Sequence, residues 1–220
     1  MNSELNTKKK AFTLAEALIT LVIIGVIAAL TIPAILVNTE QHEYKSALKK
    51  ALSALNQVIE LNIALEGYGP IESGYMGDGP DKEDSLFEMF RNRMNVISTS
   101  KEYDRGGTTN YAFFTADGMR YEFPTTPSIG GGTFSATNGK CARPAGNVQD
   151  DAGDVLNLPC LIIVDVNGQR RPNPLKTGGS YKVPSWKGRS KILDVFPIIV
   201  TDVNAYPYGV VAQRAMFQHD

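Results

Sequence analysis

The chain has 220 residues, of which 22 are Lys or Arg and 23 are Asp or Glu, so its formal net charge is −1. This balance excludes a protein that is bound to nucleic acid along its whole length, because such a chain needs a basic excess. A hydrophobic content of 43% with only 20% charged residues excludes disorder throughout, and two cysteines are too few for a disulfide-dense miniature scaffold. The apolar residues are concentrated near the amino terminus.

A short basic segment precedes a long apolar segment. Lys8, Lys9 and Lys10 stand before residues 17–39, which contain 23 consecutive residues without a charge. As a helix this stretch is about 34 Å long, enough to cross a bilayer, and the lysines keep the amino terminus cytoplasmic. A secretory signal peptide or a plain anchor is the alternative, but a signal peptide has an apolar stretch of only about 7–15 residues.

The residues at the start of this segment form a recognisable motif. Residues 10–16 are KAFTLAE, and together with the basic leader and the apolar run they resemble the processing site of type IV prepilins and type II secretion pseudopilins. The resemblance covers about residues 8–65. It implies that prepilin peptidase cuts between Ala11 and Phe12 and that the new terminal residue, Phe12, is N-methylated. The family usually has glycine before the cut, but alanine is also small, so cleavage is expected.

The resemblance also assigns assembly roles to two residues. Glu16 follows Phe12 by four residues, where the family keeps a glutamate that is thought to meet the terminal amine of a neighbouring subunit. A carboxylate is costly in lipid, so such an amine would stabilise it. Pro33 lies where many pilins have a helix-loosening proline, and it removes a backbone donor. Heterologous contacts that do not close would then build a filament.

The apolar helix is predicted to continue as an amphipathic one until Gly67. Its apolar face recurs at steps of three and four residues: Tyr44, Leu48, Ala51, Leu52, Leu55, Val58, Ile59, Asn62 and Leu65. We therefore predict four parts. They are a cleaved leader at 1–11, a transmembrane half-helix at 12–39, an amphipathic half-helix at 40–66 and a globular head at 67–220.

The head is predicted to contain a short helix and several strands. The helix has an apolar face at Leu86, Phe87, Phe90, Met94 and Ile97, with Asp81 or Asp84 as its cap. A hairpin is predicted over 111–123, and further strands over 158–166, 191–201 and 208–217. Pro197 indicates that the middle one of these three is broken or at an edge. The predicted fold class is α+β, with a long amino-terminal helix packed on an antiparallel sheet, as in the pilin fold that the resemblance implies.

Cys141 and Cys160 follow the membrane segment, so we expect them in an oxidising compartment that permits a disulfide. Catalytic cysteines would need a histidine partner, and the chain has only His42 and His219. A disulfide is the better prediction, and many pilins close a loop near the carboxyl terminus in this way. Closing about 20 residues stabilises a fold by roughly 3 kcal/mol in the chain-entropy model.

A possible calcium loop follows the second cysteine. Asp165, Asn167 and Gly168 resemble the start of an oxygen-ligand calcium loop, with Asn173 or Asp194 as further ligands. Some secretion pseudopilins hold calcium in the head, but no glutamate follows at the EF-hand distance. The alternative is a turn in which Asp165 and Asn173 accept hydrogen bonds from backbone amides.

Charge is segregated in the head. Seven basic residues and no acidic one lie between Asp165 and Asp194, namely Arg170, Arg171, Lys176, Lys182, Lys187, Arg189 and Lys191. Arg170, Arg171, Lys187, Arg189 and Lys191 are candidates for docking on the acidic segment 66–104 of another subunit. With Tyr181 and Trp186 interleaved, they are also candidates for binding DNA. A solvated face is the simplest interpretation.

The sequence contains no recognised enzyme motif, so we predict a structural protein without a catalytic site or a required cofactor. The expected function is that of a pilin or pseudopilin subunit in the inner membrane with its head outside, and the large head favours a minor subunit. Expected partners are prepilin peptidase, other pilin subunits, the inner-membrane assembly platform and the lipid bilayer. The alternative is a membrane-anchored binding protein that does not polymerise and captures a ligand or DNA.

Overall fold

The structure is a computed structural model, and it describes residues 13–70, 72–73, 85–103, 109–124, 141, 159–168, 170, 176–177, 180–181 and 194–217. The chain divides into two compact units, Met1–Glu40 and Gln41–Asp220. The second unit contains the sheet and the hydrophobic core, and it is described below. The first contains the apolar part of the first helix.

Helix α1 extends over Leu14–Glu66, which confirms the long amino-terminal helix. Its end is set by Gly67, which has a φ of +77° that favours glycine. The N–H of Gly67 donates to the carbonyl of Ile63 at 3.1 Å, and this bond closes the last turn. Gly67, which follows the apolar pattern, therefore ends the helix because glycine adopts a positive φ without steric cost.

The amphipathic part of α1 buries the predicted stripe, with one exception. The buried members are Tyr44, Leu48, Ala51, Leu52, Leu55, Val58, Ile59 and Asn62. Leu65 was included wrongly, since 66% of it is exposed. It lies in the last turn of α1, beyond the buried part of the stripe.

Among the described residues, six strands form one antiparallel sheet: β1 (Val96–Tyr103), β2 (Thr109–Thr115), β3 (Arg120–Pro124), β4 (Cys160–Asp165), β7 (Val195–Val200) and β8 (Ala205–Pro207). Their order across the sheet is β1-β2-β3-β4-β7-β8. The remaining two, β5 (Lys176–Thr177) and β6 (Ser180–Tyr181), form a separate two-stranded ladder. The predicted hairpin is the β2–β3 pair, and Gly118 in its turn has a φ of +85°. The fold is α+β, as predicted.

The core lies between α1 and one face of the sheet. Its aromatic part comes from helix α2 (Leu86–Arg93) and from strands β2 and β3. Phe87 packs edge-on against Phe123 with the ring centroids 5.2 Å apart, and Phe113 stacks on Tyr121 at the same distance. The opposite face has a smaller buried cluster of Leu161, Ile163, Val195 and Ile199. The central strands are therefore buried on both faces.

The side chain of Asn56 on α1 joins the helix to the edge strand β8. Its carbonyl oxygen accepts from the N–H of Ala205 at 2.8 Å, and its amide donates to the Ala205 carbonyl at 3.0 Å. The side-chain amide therefore takes the place that a neighbouring strand would have at this edge.

The short helix α2 begins later and ends earlier than predicted. Its N-cap is Ser85, whose hydroxyl accepts from the N–H of Glu88 at 3.1 Å, so neither Asp81 nor Asp84 is the cap. Ile97 was assigned wrongly to its apolar face, because the helix stops at Arg93 and Ile97 lies in β1 at a register shift.

The predicted strand over 208–217 is wrong, because this segment is helix α3 (Gly209–Phe217). The strand there is the preceding β8, and Gly209 with a φ of +79° ends the extended backbone. Ala212 and Ala215 are buried and lie on one side of the helix at a spacing of three, which is helical periodicity. The adjacent valines favoured a strand, but packing against the core decided otherwise.

The prediction that Pro197 marks an edge or a break is also wrong, since β7 lies between β4 and β8. The carbonyl of Pro197 accepts from the N–H of Tyr208 at 2.9 Å, so this residue directs its backbone polar groups toward the β8 side. There β8 pairs only with Ile198, Ile199 and Val200. The missing N–H therefore falls opposite Tyr208, at the last rung beside the end of β8, and not on the β4 side.

Candidate functional site

The first turn of α1 holds Glu16 in a capping box. The N–H and the hydroxyl of Thr13 donate to Oε2 of Glu16 at 2.9 and 2.8 Å, and the N–H of Glu16 donates to Oγ1 of Thr13 at 3.3 Å. This reciprocal arrangement satisfies backbone donors that have no partner within a helix. The carboxylate therefore lies at the amino end of the helix, where the helix dipole also favours an anion.

The residues after Glu16 form an apolar surface on all sides of the helix. The stretch Leu14–Pro33 is long and apolar enough to cross a membrane, and α1 is the one such helix in the part of the chain that the structure describes. Its large side chains are exposed, from 52% for Ile23 to 81% for Leu14. A helix of this kind needs lipid or other helices around it.

Pro33 lies inside α1, as predicted from the sequence, and the helix continues past it. A proline has no N–H to donate to the carbonyl four residues earlier, here that of Ala29. Threonines near Pro33 do not add unsatisfied donors, because Thr31 and Thr39 donate their hydroxyls to the carbonyls of Ile27 and Ile35, both at 2.9 Å. The helix therefore lacks one backbone hydrogen bond at Pro33, whereas the hydroxyl groups of the nearby threonines are hydrogen-bonded.

The two residues of the predicted cleavage site, Ala11 and Phe12, lie outside the described residues. Thr13, the first described residue, is also the N-cap of α1. The helix therefore begins at Leu14, shortly after the predicted cut. Cleavage itself stays a prediction.

The disulfide between Cys141 and Cys160 is present, with the two Cα atoms 4.9 Å apart. Both residues are fully buried, and Cys160 is the first residue of β4. The N–H of Cys141 approaches the carbonyl of Pro70 at 3.4 Å, just after α1 ends. The bridge therefore fixes an otherwise distant segment against the end of the helix and the central sheet.

The predicted calcium loop begins with a turn. Oδ1 of Asp165 accepts from the N–H of Asn167 at 3.2 Å, and Gly168 has a φ of +73°. This is the turn that was the alternative to calcium for Asp165, and Asn173 lies outside the described residues. Among the described residues, no group of three or more His, Cys, Asp or Glu is placed to hold a metal ion.

Asp165 belongs to a buried polar network on the sheet face opposite α1. It pairs across β3–β4 with Arg120, whose Nη1 donates to Oε2 of Glu122, and Asn110 donates to the other oxygen of Glu122 at 3.0 Å. Burial and then the charge of nearby Asp194 raise the pKa of Asp165 to about 7, although the Asn167 N–H and Arg120 act in the opposite direction. The negative charge of Asp194 therefore makes the Asp165 carboxyl group harder to ionise.

The described residues of this network would supply only part of a calcium site. Asp165 and Asp194 offer the carboxylate oxygens that calcium prefers, but calcium takes about six to eight oxygen ligands. The guanidinium of Arg120 also lies beside Asp165 and disfavours a cation there. Calcium binding therefore stays a prediction that depends on Asn173 and other residues outside the described part.

Only one residue of the predicted basic patch is described. Arg170 is exposed just after the Asp165 turn, whereas Arg171, Lys187, Arg189 and Lys191 lie outside the described residues. The patch as a whole therefore lies outside the described residues, and docking on an acidic segment or on DNA stays a prediction.

Two features of the structure were missed in the sequence. Thr13 was not singled out, although its spacing from Glu16 is that of a capping box and was available as a signal. The second is an ion pair between Nζ of Lys50 and Oδ2 of Asp117 at 2.9 Å, which joins α1 to the β2–β3 turn. Lys50 and Asp117 are far apart in the sequence and meet only in the tertiary fold, so no local sequence pattern predicts this ion pair.

The Lys50–Asp117 pair changes the acidity of two groups. Burial raises the pKa of Asp117, but hydrogen bonds from Thr115 and Lys50 and the charge of Lys50 outweigh it and lower the pKa below its ordinary value. Burial, and then the negative charge of Asp117, raise the pKa of Tyr121. Asp117 is therefore an anion near neutral pH and keeps the turn attached to the helix.

Comparison with known proteins identifies a family motif at the amino terminus. A family model described as the prokaryotic N-terminal methylation motif matches residues 6–32. None of the curated proteins and none of the solved structures compared with the chain matches it. The matched range contains the basic leader, the predicted cut, the capping box with Glu16 and most of the exposed apolar helix. The chain therefore carries the amino-terminal signature of the type IV prepilins and pseudopilins.

Proposed function

We propose that this protein is a minor structural subunit of a type IV pilus or of a type II secretion pseudopilus. Prepilin peptidase would remove residues 1–11 and Phe12 would be N-methylated. The processed chain would wait in the inner membrane, with its head outside, until the assembly platform adds it to a filament. The observation that carries this proposal is the methylation motif, located on a helix whose apolar side chains are exposed.

The geometry of Glu16 supports an assembly role. It is the only charged side chain in residues 11–39, and its carboxylate is fixed at the helix start by Thr13. A carboxylate that is held in one place can meet the amine of an adjacent subunit without first losing side-chain entropy. The capping box therefore prepares Glu16 for an intermolecular contact.

The head supports a structural role more than a catalytic one. Asp165 is engaged in a turn and Arg120 in an ion pair with Glu122, and the large side chains of the sheet form a packed core. The two cysteines are joined to each other. The fold therefore provides a rigid body that a filament can display.

The proposal is tested by Glu16→Ala in the full chain expressed with its assembly machinery. We expect membrane insertion to be kept and surface filaments to be lost, because the incoming subunit would have no carboxylate for its neighbour's amine. Glu60→Ala is the matched control, since Glu60 is exposed on the same helix but outside the apolar half. The amount of subunit in sheared surface filaments, compared with the amount in the membrane, gives the readout.

If Glu16→Ala assembles as well as the parent chain, the proposed role of Glu16 is wrong. If the parent chain itself never leaves the membrane although the machinery is active, the chain is a membrane-anchored protein that does not polymerise.

Calcium binding by Asp165, Asn167 and Asp194, completed by Asn173, is a separate proposal for the head. We expect added calcium to raise the melting temperature of the full chain and a chelator to lower it. A melting temperature that is indifferent to both would reject the site.

A further inference from the structure

A groove lies on the head beside the start of the amphipathic part of α1, and its volume is about 480 Å³. This volume suits a small molecule or the headgroup of a lipid, but it is too small for a polymer such as DNA. Three parts of the chain supply its described walls, namely α1 with Glu43, Tyr44 and Ala47, strand β2 with Phe114, and the segment after β4 with Val166 and Arg170.

Two turns hold one wall of the groove in place. Gly118 of the β2–β3 turn and Gly168 of the Asp165 turn both line it. A Cβ atom at Gly168 would lie only 2.6 Å from the carbonyl oxygen of Gly118, so the two backbones are in direct contact. The wall is therefore formed before any ligand binds, and a ligand does not have to order it.

The charged groups of the groove are of two kinds. Asp117 is already neutralised, because its Oδ2 contacts Nζ of Lys50 at 2.9 Å. Glu43 and Arg170 are exposed, and in the part of the chain that the structure describes neither side chain has a hydrogen-bond or ion-pair partner. The described walls therefore offer one free anion and one free cation.

A ligand with two opposite charges fits these two groups best. A lone anion would be attracted by Arg170 but repelled by Glu43, and a lone cation would meet the reverse. A guanidinium group matches the oxygens of a phosphate, and a carboxylate accepts hydrogen bonds from a primary ammonium group. The groove therefore favours a zwitterion that carries a phosphate and a primary ammonium group.

The position of Glu43 along α1 indicates the source of such a zwitterion. Glu43 follows Thr39, the last residue of the uncharged stretch, by four residues, which is about 6 Å along the helix. The headgroup layer on each side of a bilayer is roughly 5–8 Å thick. Glu43 therefore lies at the depth of the headgroups when the uncharged stretch spans a membrane. We propose that the groove binds the headgroup of phosphatidylethanolamine, with the phosphate on Arg170 and the ammonium group on Glu43.

This lipid site goes beyond the proposed function, because it belongs to the membrane-anchored chain and does not require a filament. A bound headgroup would attach the head to the surface of the bilayer as long as the chain stays in the membrane. The experiment that tests the site uses no filament, so its failure and the failure of the proposed function are separate results.

The measurement is native mass spectrometry of the full chain in detergent micelles that contain equal amounts of three phospholipids. They are phosphatidylethanolamine, phosphatidylglycerol, which has no ammonium group, and phosphatidylcholine, whose quaternary ammonium group donates no hydrogen bond. The apolar half of α1 retains lipids of any class, so only the preference among the three reports on the groove. We expect phosphatidylethanolamine to be retained at least about fivefold better than either of the others.

Two variants remove one contact each. Glu43→Gln should retain phosphatidylethanolamine and phosphatidylglycerol equally to within about twofold, because the ammonium contact is lost while the phosphate contact is kept. Arg170→Gln should lower the retention of phosphatidylethanolamine at least about threefold, because the phosphate loses its guanidinium partner. Both residues are exposed, so the melting temperature of the head should not change.

Glu40→Gln and Lys49→Gln are the matched controls. Both residues are exposed on α1 and neither is among the described lining residues of the groove, so the preference of the parent chain should be kept. Glu40 precedes Glu43 by about one helical turn and is closer to the uncharged stretch. A general effect of charge at the membrane surface would therefore change the preference of Glu40→Gln at least as much as that of Glu43→Gln.

Three results would overturn the proposal. The first is equal retention of the three lipids by the parent chain, or a preference that both Glu43→Gln and Arg170→Gln keep. The second is a loss of preference in Glu40→Gln as large as in Glu43→Gln. The third is that soluble phosphoethanolamine binds the chain as tightly as the lipid does, because the ligand would then be a soluble zwitterion and not a membrane headgroup.

Discussion

The two parts of helix α1 have opposite surroundings although they belong to one continuous helix. In Leu14–Pro33 every large apolar side chain is exposed, whereas from Tyr44 to Asn62 one stripe of side chains is buried in the head. The first part is apolar on all sides of the helix and has no preferred face. The second part has an apolar face and a polar face. Hydrophobicity alone therefore does not place a residue in the core of this protein. The residue must also belong to the periodic apolar stripe that faces the head.

Truncating a leucine in each part gives the sharpest test of this contrast. Leu55 is fully buried, so Leu55→Ala should destabilise the head by about 2–5 kcal/mol through lost burial and a new cavity. Leu21 is 66% exposed, so Leu21→Ala should leave the head unchanged. Near-ultraviolet circular dichroism of the full chain in detergent, followed during heating, measures both. Equal melting temperatures for the two variants would show that the stripe is not the core of the head.

Removing the disulfide should have the next largest effect, and only on the head. Cys141 and Cys160 are 19 residues apart, and opening a loop of this size costs about 3 kcal/mol in the chain-entropy model. We expect Cys141→Ser with Cys160→Ser to lower the melting temperature by several degrees while membrane insertion through the apolar half is kept. A double variant that melts with the parent chain would mean that the bridge adds nothing to the stability of the head.

The pH dependence of the head provides the smallest expected effect. The pKa of Asp165 is raised from 3.8 to about 7 in the folded chain. Between these values the folded state binds more protons than the unfolded state, so stability falls as the pH rises through this range. Asp165→Asn should therefore raise the melting temperature at pH 8 and change it little near pH 4, in buffer without calcium.

Asp117→Asn is the matched control with the opposite sign. The pKa of Asp117 is lowered, so its contribution is present above the ordinary value of 3.8 and is lost as the pH falls below it. This variant should melt at a lower temperature than the parent chain from pH 5 to pH 8 without a strong trend.

An Asp165→Asn variant that is less stable than the parent at pH 8 would contradict the proposed effect of burial on Asp165.

Local patterns predicted the parts of the fold that depend on the chain nearby. Periodicity and turn residues predict the long helix, the end of this helix at Gly67, the stripe from Tyr44 to Asn62 and the β2–β3 hairpin. The structure contains all of them. Helix α3 was missed because Val210 and Val211 favour a strand, whereas the packing of Ala212 and Ala215 against the core decides for a helix. The position of Pro197 inside the sheet depends on how far its neighbour β8 extends, which no local pattern encodes.

The candidate site divides in the same way. Glu16 and Pro33 were found from spacing, because the motif lies in one continuous segment. Lys50 and Asp117 could not be found, since they are far apart in the chain and meet only when the hairpin packs on α1. Asp165 was singled out as a ligand or turn residue, but its pairing with Arg120 arises from the register of β3 and β4.

The intact mass of the chain sheared from the cell surface shows whether the subunit is cut, methylated and assembled as proposed. We expect a single species that begins at Phe12 and carries one methyl group on its terminal amine. A surface chain that still begins at Met1, or that begins at any residue other than Phe12, would contradict this proposal.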